Sequence, residues 1–376
     1  MKPRIYLDNN GSTAVDPKVI EAVVKALHTA TGNPSSIHSF GQETRNSLIK
    51  ARHTCASFLN VKPQEIVFNS GATEGLNMVI RGVLLKKPKS HIITSDAEHA
   101  AVYATLKEFA SLGYEVSFMP AGLCGAVSPE AVREAIRPNT SLIALMAVNN
   151  ETGVKTDIAA IAAIAKSEDI PFLVDAVALL GKESFSIPDG VSAACFSGHK
   201  IHAPKGVGFT FLRSGLKLMP SISGGEQEFG RRGGTENVPG VVGLARAVAL
   251  LTEALPEASE RMRMLRDLLE NTLLEKIPNV LVNGEGPRVV NTSNLAFVGV
   301  EGESLITQLD MQGVAVSHGS ACASGALEPS RVLLNMGLLP SIARASVRFS
   351  LSRFTTEAEI REGCEIIVKV VSKMLR

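Results

Sequence analysis

Cysteine is scarce in this 376-residue chain: there are five, an odd number, widely spread and without a C-x-x-C pair. That usage argues against a disulfide framework and a zinc ribbon, and reduced thiols fit a cytoplasmic compartment. Charge imbalance is missing as well. Lys plus Arg number 38 and Asp plus Glu 37, a net charge of +1. Nothing in that balance recruits nucleic acid or an anionic membrane as a partner. An uninterrupted run of about 18 apolar residues is absent, so no membrane span is expected. The opening MKPRIYLDNN lacks the apolar region of a secretory signal. There is no G-x-G-x-x-G after the first strand and no G-K-[ST], which disfavours a nicotinamide dehydrogenase and a P-loop.

What is present is globular composition, 45% hydrophobic and 20% charged. The length suits roughly two or three domains with a sizeable core. Short apolar runs at 65–69, 91–95, 115–119, 142–148, 172–174, 193–197 and 207–212 read as strands. Helical patterns lie between them, at 73–85, 100–112 and 158–166, the last capped by Asp157. Asp16-Pro17 marks another helix start. Strands alternating with helices imply an α/β fold with a mostly parallel sheet covered on both faces. Beyond Pro256 the character changes to a long charged helix at 260–276, strands near 280–282 and 289–297, and helices near 303–311 and 357–374. We expect a large domain over 15–250 and a smaller α+β domain built from 1–14 and 251–376.

Several segments carry chemistry. In SGHK, Lys200 follows an apolar strand beside Ser197 and His199. It reads as a surface turn lysine or as the Schiff-base amine for a phosphate-bearing aldehyde cofactor. In VDAV, Asp175 ends a strand and is either a helix cap or the counter-charge of a protonated ring nitrogen. SGATEG joins strand to helix around Gly71, Ala72 and Thr73, an ordinary capped turn or a phosphate cup. His99 in EHAA is a surface histidine or a ring-stacking proton-transfer group. NNETG, with Asn150, is a turn or a donor of amide groups at the same sheet edge. Cys322 in GSACASG sits among Gly, Ser and Ala, an inert loop thiol or a nucleophile. Arg348 in SVRFS alternates with Val347 and Phe349, and is a surface ion-pair partner or a fork for a carboxylate.

Taken in order, YLDNN, GNPSS-x-H, IVFNSGATEG, EHAAV, VNNETG, VDAV, FSGHKIHAPKG, GGTEN, SHGSACASG-x-LEPS and VRFSLSRFTTEAE resemble the cysteine desulfurases of the NifS and IscS kind. These belong to the class-V aminotransferase branch of fold-type-I pyridoxal-phosphate enzymes, and the likeness runs from about residue 5 to about 370. It implies the aspartate aminotransferase-like fold and pyridoxal 5'-phosphate held covalently on Lys200. The resemblance further implies Asp175 at the pyridine nitrogen, His99 on the ring face and Asn150 near the ring hydroxyl. Ala72, Thr73, Ser197 and His199 would hold the phosphate. Thr235 would reach the phosphate of a neighbouring subunit, so a homodimer is implied. Arg348 would bind the carboxylate of L-cysteine. Cys322 would accept its sulfur as a persulfide, for passage to an iron–sulfur scaffold or another acceptor protein. No intrinsic metal is implied, although Cys322 could ligate an iron–sulfur cluster transiently. The sequence departs from the family pattern at Ala178, where Gln is usual, at Ala203, at Gly11-Ser12-Thr13 and at His318. A related lyase or transaminase, such as a selenocysteine lyase, and an inactive assembly scaffold are the competing expectations.

Overall fold

The computed structural model describes residues 4–319 and 329–375. Among the described residues, twelve strands run in chain order: β1 (Ile5–Tyr6), β2 (Ile66–Asn69), β3 (His91–Ser95), β4 (Glu115–Met119), β5 (Thr140–Met146) and β6 (Phe172–Asp175). They continue as β7 (Ala193–Ser197), β8 (Gly208–Leu212), β9 (Val280–Val282), β10 (Thr292–Phe297), β11 (Val314–Ala315) and β12 (Ser346–Ser350). Seven of them form one sheet in the order β2-β8-β7-β6-β5-β3-β4. All neighbours are parallel except β8, which runs antiparallel to both β2 and β7. The sheet is therefore mostly parallel, as the alternating pattern predicts. Its central strands are buried throughout, because helices cover both faces. Strands β2, β3, β5, β6 and β7 all point the same way, so the turns that follow them crowd one edge.

Two smaller sheets complete the molecule. β12-β10-β9 is antiparallel, and β1 pairs in parallel with β11, Ile5 opposite Val314. The chain's first strand thus lies against its C-terminal part. Ile5 and Leu7 are buried with Leu295, Val347, Phe349, Ile360 and Ile367 in a core separate from that of the large sheet.

The largest correction concerns the helix that joins the two cores. The sequence pattern places a helix at 260–276, but it runs unbroken over Val238–Lys276, 39 residues, with Pro256 inside. Asn237 caps its start by accepting from Gly240 N, and Pro239 falls in the first turn. Val238, Val241, Leu244, Val248, Leu251 and Leu255 belong to the large core, whereas Leu265, Leu269 and Leu273 belong to the small one. Pro256 sits between the two sets. Proline is expensive inside a helix, yet here packing on both sides outweighs that cost. An 18-residue window of this helix has a mean hydropathy of 1.6, high enough for a membrane span; 61% of that window is buried against the chain's own elements. Arg246 and Glu253 interrupt the apolar stretch.

Phe196 and Phe209 stack across β7 and β8, with centroids 4.7 Å apart and planes at 20°. Both are fully buried. Replacing Phe209 with Ala removes that stack from the strand that precedes Lys200. We expect about 3–5 kcal/mol of lost stability, read as a lower denaturant midpoint with an unchanged folded-state circular dichroism spectrum. A midpoint equal to wild type would contradict this packing.

Candidate active site

One cavity of about 390 Å³ opens at the shared strand edge. It is lined by Ala72, Thr73, His99, Asn150, Asp175, Ser197, His199, Lys200 and Arg348, nine of the residues singled out from the sequence. They come from segments up to 276 residues apart, between Ala72 and Arg348; all but Arg348 end or follow a strand at that edge, and Arg348 comes from the middle of β12 in the three-stranded sheet.

Lys200 closes a single turn of 3-10 helix, Gly198–Lys200, immediately after β7. Its Nζ donates to the carbonyl oxygens of Asn10 and Gly11, the latter at 2.8 Å. Asp175 ends β6 at 7% exposure, and its Oδ1 accepts from Val177 N at 3.1 Å. Burial pushes its carboxyl up; the nearby His99 and Lys200 oppose that. His99 caps the helix Ala100–Ser111 with Nδ1 accepting from Ala101 N at 3.1 Å, so Nε2 carries the proton of the neutral ring.

The turn after β2 makes an anion cup. Gly71 has φ +147°, a conformation that side chains seldom adopt, and a Cβ there would lie 3.5 Å from Ser197 Oγ. Helix Ala72–Leu84 then presents its first amides to the cavity. Ser197, the last residue of β7, and His199, in the turn after it, line the same cavity, with His199 Nδ1 3.2 Å from Ser12 Oγ. Burial, then the charges of Lys200 and Lys205, push His199 down to about 4, so its ring is neutral near pH 7.

Arg348 is an ion-pair partner, but a buried one, its side chain 1% exposed. Its Nη2 meets Asp8 Oδ1 at 2.7 Å, and Nη1 donates to Asn150 O at 2.9 Å. Nε has no partner among the described residues, nor does Asn150 Oδ1. These two buried polar atoms, on residues that line the cavity, are open to hydrogen bonds from a ligand. The sequence reading missed Asp8, Asn10 and Lys182, which also belong here. Lys182 is 3% exposed, lines the cavity and donates to Lys200 O at 3.1 Å. Burial and the neighbouring Lys200 push it down to about 8. Only its place seven residues after Asp175, in the run ALLGK, hinted at such a role.

One expected residue, Thr235, is not brought together with the rest. Thr235 is exposed in the segment after Arg232 and does not line the cavity. Arg232 itself bonds Glu74 at the cavity wall, 2.9 Å, which holds that segment close by. Cys322 lies outside the described residues. Cys55, Cys195 and Cys364 are buried, and burial pushes each thiol up, away from reactivity. Ala178 lines the cavity and offers no donor there.

A lysine, a buried carboxylate, a histidine and an anion cup at the strand edge define the pyridoxal-phosphate class of enzyme site. The chain belongs to the aminotransferase class-V family, whose model matches residues 5–362. The members of that family are pyridoxal-phosphate enzymes. A protein of Nostoc sp. named cysteine desulfurase is 43% identical over 373 residues, 98% of this chain and 93% of the relative. A solved structure titled NifS-like protein superposes with a TM-score of 0.91 at 35% identity, covering 98% of this chain and all of that one. Another, titled SspA in complex with cysteine, gives 0.83 at 33% identity over 93% of this chain and 99% of that one. The fold is that of the fold-type-I pyridoxal-phosphate transferases.

His202, next to this site, yields a pH prediction. It is buried, with Nδ1 donating to Ala14 O at 2.8 Å and its ring 4.7 Å from that of Phe354. Burial, then the charge of Lys182, push it down to about 4. The unfolded chain takes up this proton near pH 6.5 or so, while the fold refuses it until about 4. Stability is thus complete above the unfolded value and is lost as pH falls through the window between them. We expect the thermal midpoint of His202→Gln to fall less than that of wild type across that window. Parallel pH profiles would contradict the assignment.

Proposed function

We propose that the chain is a cysteine desulfurase: bound to pyridoxal phosphate, it removes sulfur from L-cysteine, releasing L-alanine and leaving a persulfide on Cys322. The observation that carries the reading is the placement of Lys200, Asp175, His99 and Arg348 around one cavity with an anion cup at its wall. The residues fit the cofactor. Lys200 would hold it covalently, and the cup of Ala72, Thr73, Ser197 and His199 would take its phosphate. Asn150 Oδ1, without a partner among the described residues, would gain one from the cofactor, and Arg348 Nε, likewise open among them, one from the substrate. The cofactor's part, when bound, is to serve as an electron sink for the substrate's α-carbon.

The rest is this chain's own chemistry. Asp175, whose charge is costly where it stands, is stabilised by a cation placed against it and in turn keeps that cation protonated. Arg348, fixed by Asp8 and Asn150, receives the substrate carboxylate and so orients Cα toward Lys200. Lys200 Nζ, once released, is the base for the Cα proton. The Cys322 thiolate takes the substrate sulfur: an S–S bond forms as the Cβ–S bond breaks. The electron pair of the broken bond stays with the three-carbon fragment, which takes up a proton and leaves as alanine. Thr235, exposed on a segment held beside the cavity, suits a contact with the site of a second copy of the chain. The persulfide then passes to an acceptor, an iron–sulfur scaffold or another thiol protein.

The test is to load the purified protein with pyridoxal phosphate and add L-cysteine and a reductant. We expect the visible absorption of a lysine-bound imine, then alanine and sulfide in equal amounts. Lys200→Ala should lose the absorption and both products, whereas Cys322→Ser should keep the absorption and lose sulfide. Alanine without sulfide in wild type would point to another lyase chemistry and overturn the reading.

A further inference from the structure

Residues 320–328 carry Cys322, and the structure describes the points where this segment leaves and rejoins the fold. Before it, Ser317 pairs through its backbone with Arg348: Arg348 N donates to Ser317 O at 2.8 Å, and Ser317 N to Arg348 O at 3.3 Å. After it, Ser330 Oγ donates to Glu151 Oε2 at 2.5 Å. The two ends meet at this carboxyl. A β-carbon placed on Gly319, at φ +72°, would lie 3.1 Å from Glu151 Oε2 and 3.3 Å from Ser330 Cβ.

Glu151 is itself held tightly. It is 3% exposed and follows Asn150, whose carbonyl takes the hydrogen bond from Arg348. Its N–H donates to Asn149 Oδ1 at 2.9 Å, and its carbonyl accepts from Asn294 Nδ2 at 3.1 Å. Burial pushes its carboxyl up, against the hydrogen bond from Ser330 and the charges of Arg348 and Arg331. Arg331 fastens the rejoining point a second time. Its guanidinium donates to the carbonyls of Asp96 and Glu98, the residues leading into His99, and lies over the Tyr103 ring at 3.8 Å. Asn335 Nδ2 adds a bond to Asp96 O at 2.8 Å. Each end of the Cys322-bearing segment is therefore tied to a wall of the cavity, through Arg348 on one side and through Glu151 and the Asp96–Glu98 turn on the other.

We propose that Glu151 and Arg331 are positioning residues for sulfur transfer, setting where the Cys322-bearing segment is rooted relative to bound substrate while touching neither substrate nor cofactor. The proposal rests on the desulfurase reading with Cys322 as acceptor. A loss at these positions should slow the step in which the thiol meets the substrate sulfur and spare the steps before it. The side-chain carbonyl oxygen of glutamine can accept from Ser330 Oγ as Glu151 Oε2 does, so Glu151→Gln should rescue what Glu151→Ala loses.

The experiment uses full-length protein loaded with pyridoxal phosphate. Two quantities are read: the L-cysteine concentration at half-maximal change in the cofactor's absorption, and the single-turnover rate at which sulfur appears on Cys322. For Glu151→Ala, Ser330→Ala and Arg331→Met we expect half-saturation within about twofold of wild type and sulfur transfer slowed about tenfold or more. The Glu151→Ala/Ser330→Ala double variant should be no slower than either single variant, because one bond is lost in all three. Glu151→Gln should transfer sulfur at close to the wild-type rate. Ser330→Ala, which removes a single hydroxyl, carries the test should Glu151→Ala fail to fold. Unchanged transfer in the single variants, or binding and transfer falling together, would overturn the proposal while leaving the desulfurase reading intact. Wild-type protein that places no sulfur on Cys322 would overturn both.

Discussion

A carboxylate buried at the end of a central strand costs several kcal/mol unless a cation stands against it. Asp175 is that carboxylate. The parallel neighbours β5 and β7 fix its place, with His99 and Lys200 standing near it. The sheet cannot relax it away, because Phe172, Leu173 and Val174 lock the strand into the core. The cavity around it sets a buried carboxylate, Asp175, across from the helix N-terminus that follows Gly71, so on the proposed reading it suits a positively charged ring with an anionic tail. The remaining features of the site act on that arrangement.

The second constraint is mechanical. The N-terminal segment pairs with β11 through Ile5 and Tyr6, sends Asp8 to Arg348, and lays the carbonyls of Asn10 and Gly11 against Lys200. The helix Val238–Lys276 contributes side chains to both cores. Arg348, on β12, and Lys200, in the turn after β7, therefore belong to different sheets, tied by one short strand and one long helix. Gly11 is needed for this tie, since a β-carbon there would collide with the Asp8 carboxylate at 2.5 Å.

Much of the fold was legible because periodicity and strand-ending motifs are local. The runs at 91–95, 115–119 and 193–197 match their strands residue for residue. Lys200, Asp175 and His99 were legible because each ends or follows an apolar run, and open α/β sheets place ligands at that edge. What stayed hidden was non-local or ambiguous in pattern. The long helix was cut short because Pro256 reads as a stop, and tertiary packing overrode it. Asp8 and Lys182 acquire their roles only from residues 340 and 18 positions away. Arg348 alternates correctly on its strand, but no pattern could show that its ion pair is buried.

The central claim is that sulfur leaves substrate on one particular thiol while the carbon skeleton leaves as alanine. Its most direct measurement is the mass of the Cys322 peptide after a single turnover of loaded enzyme with limiting L-cysteine and no reductant. The account predicts one added sulfur atom on that peptide for each alanine released. Sulfur on Cys124 instead, or alanine with an unmodified Cys322 peptide, would contradict it.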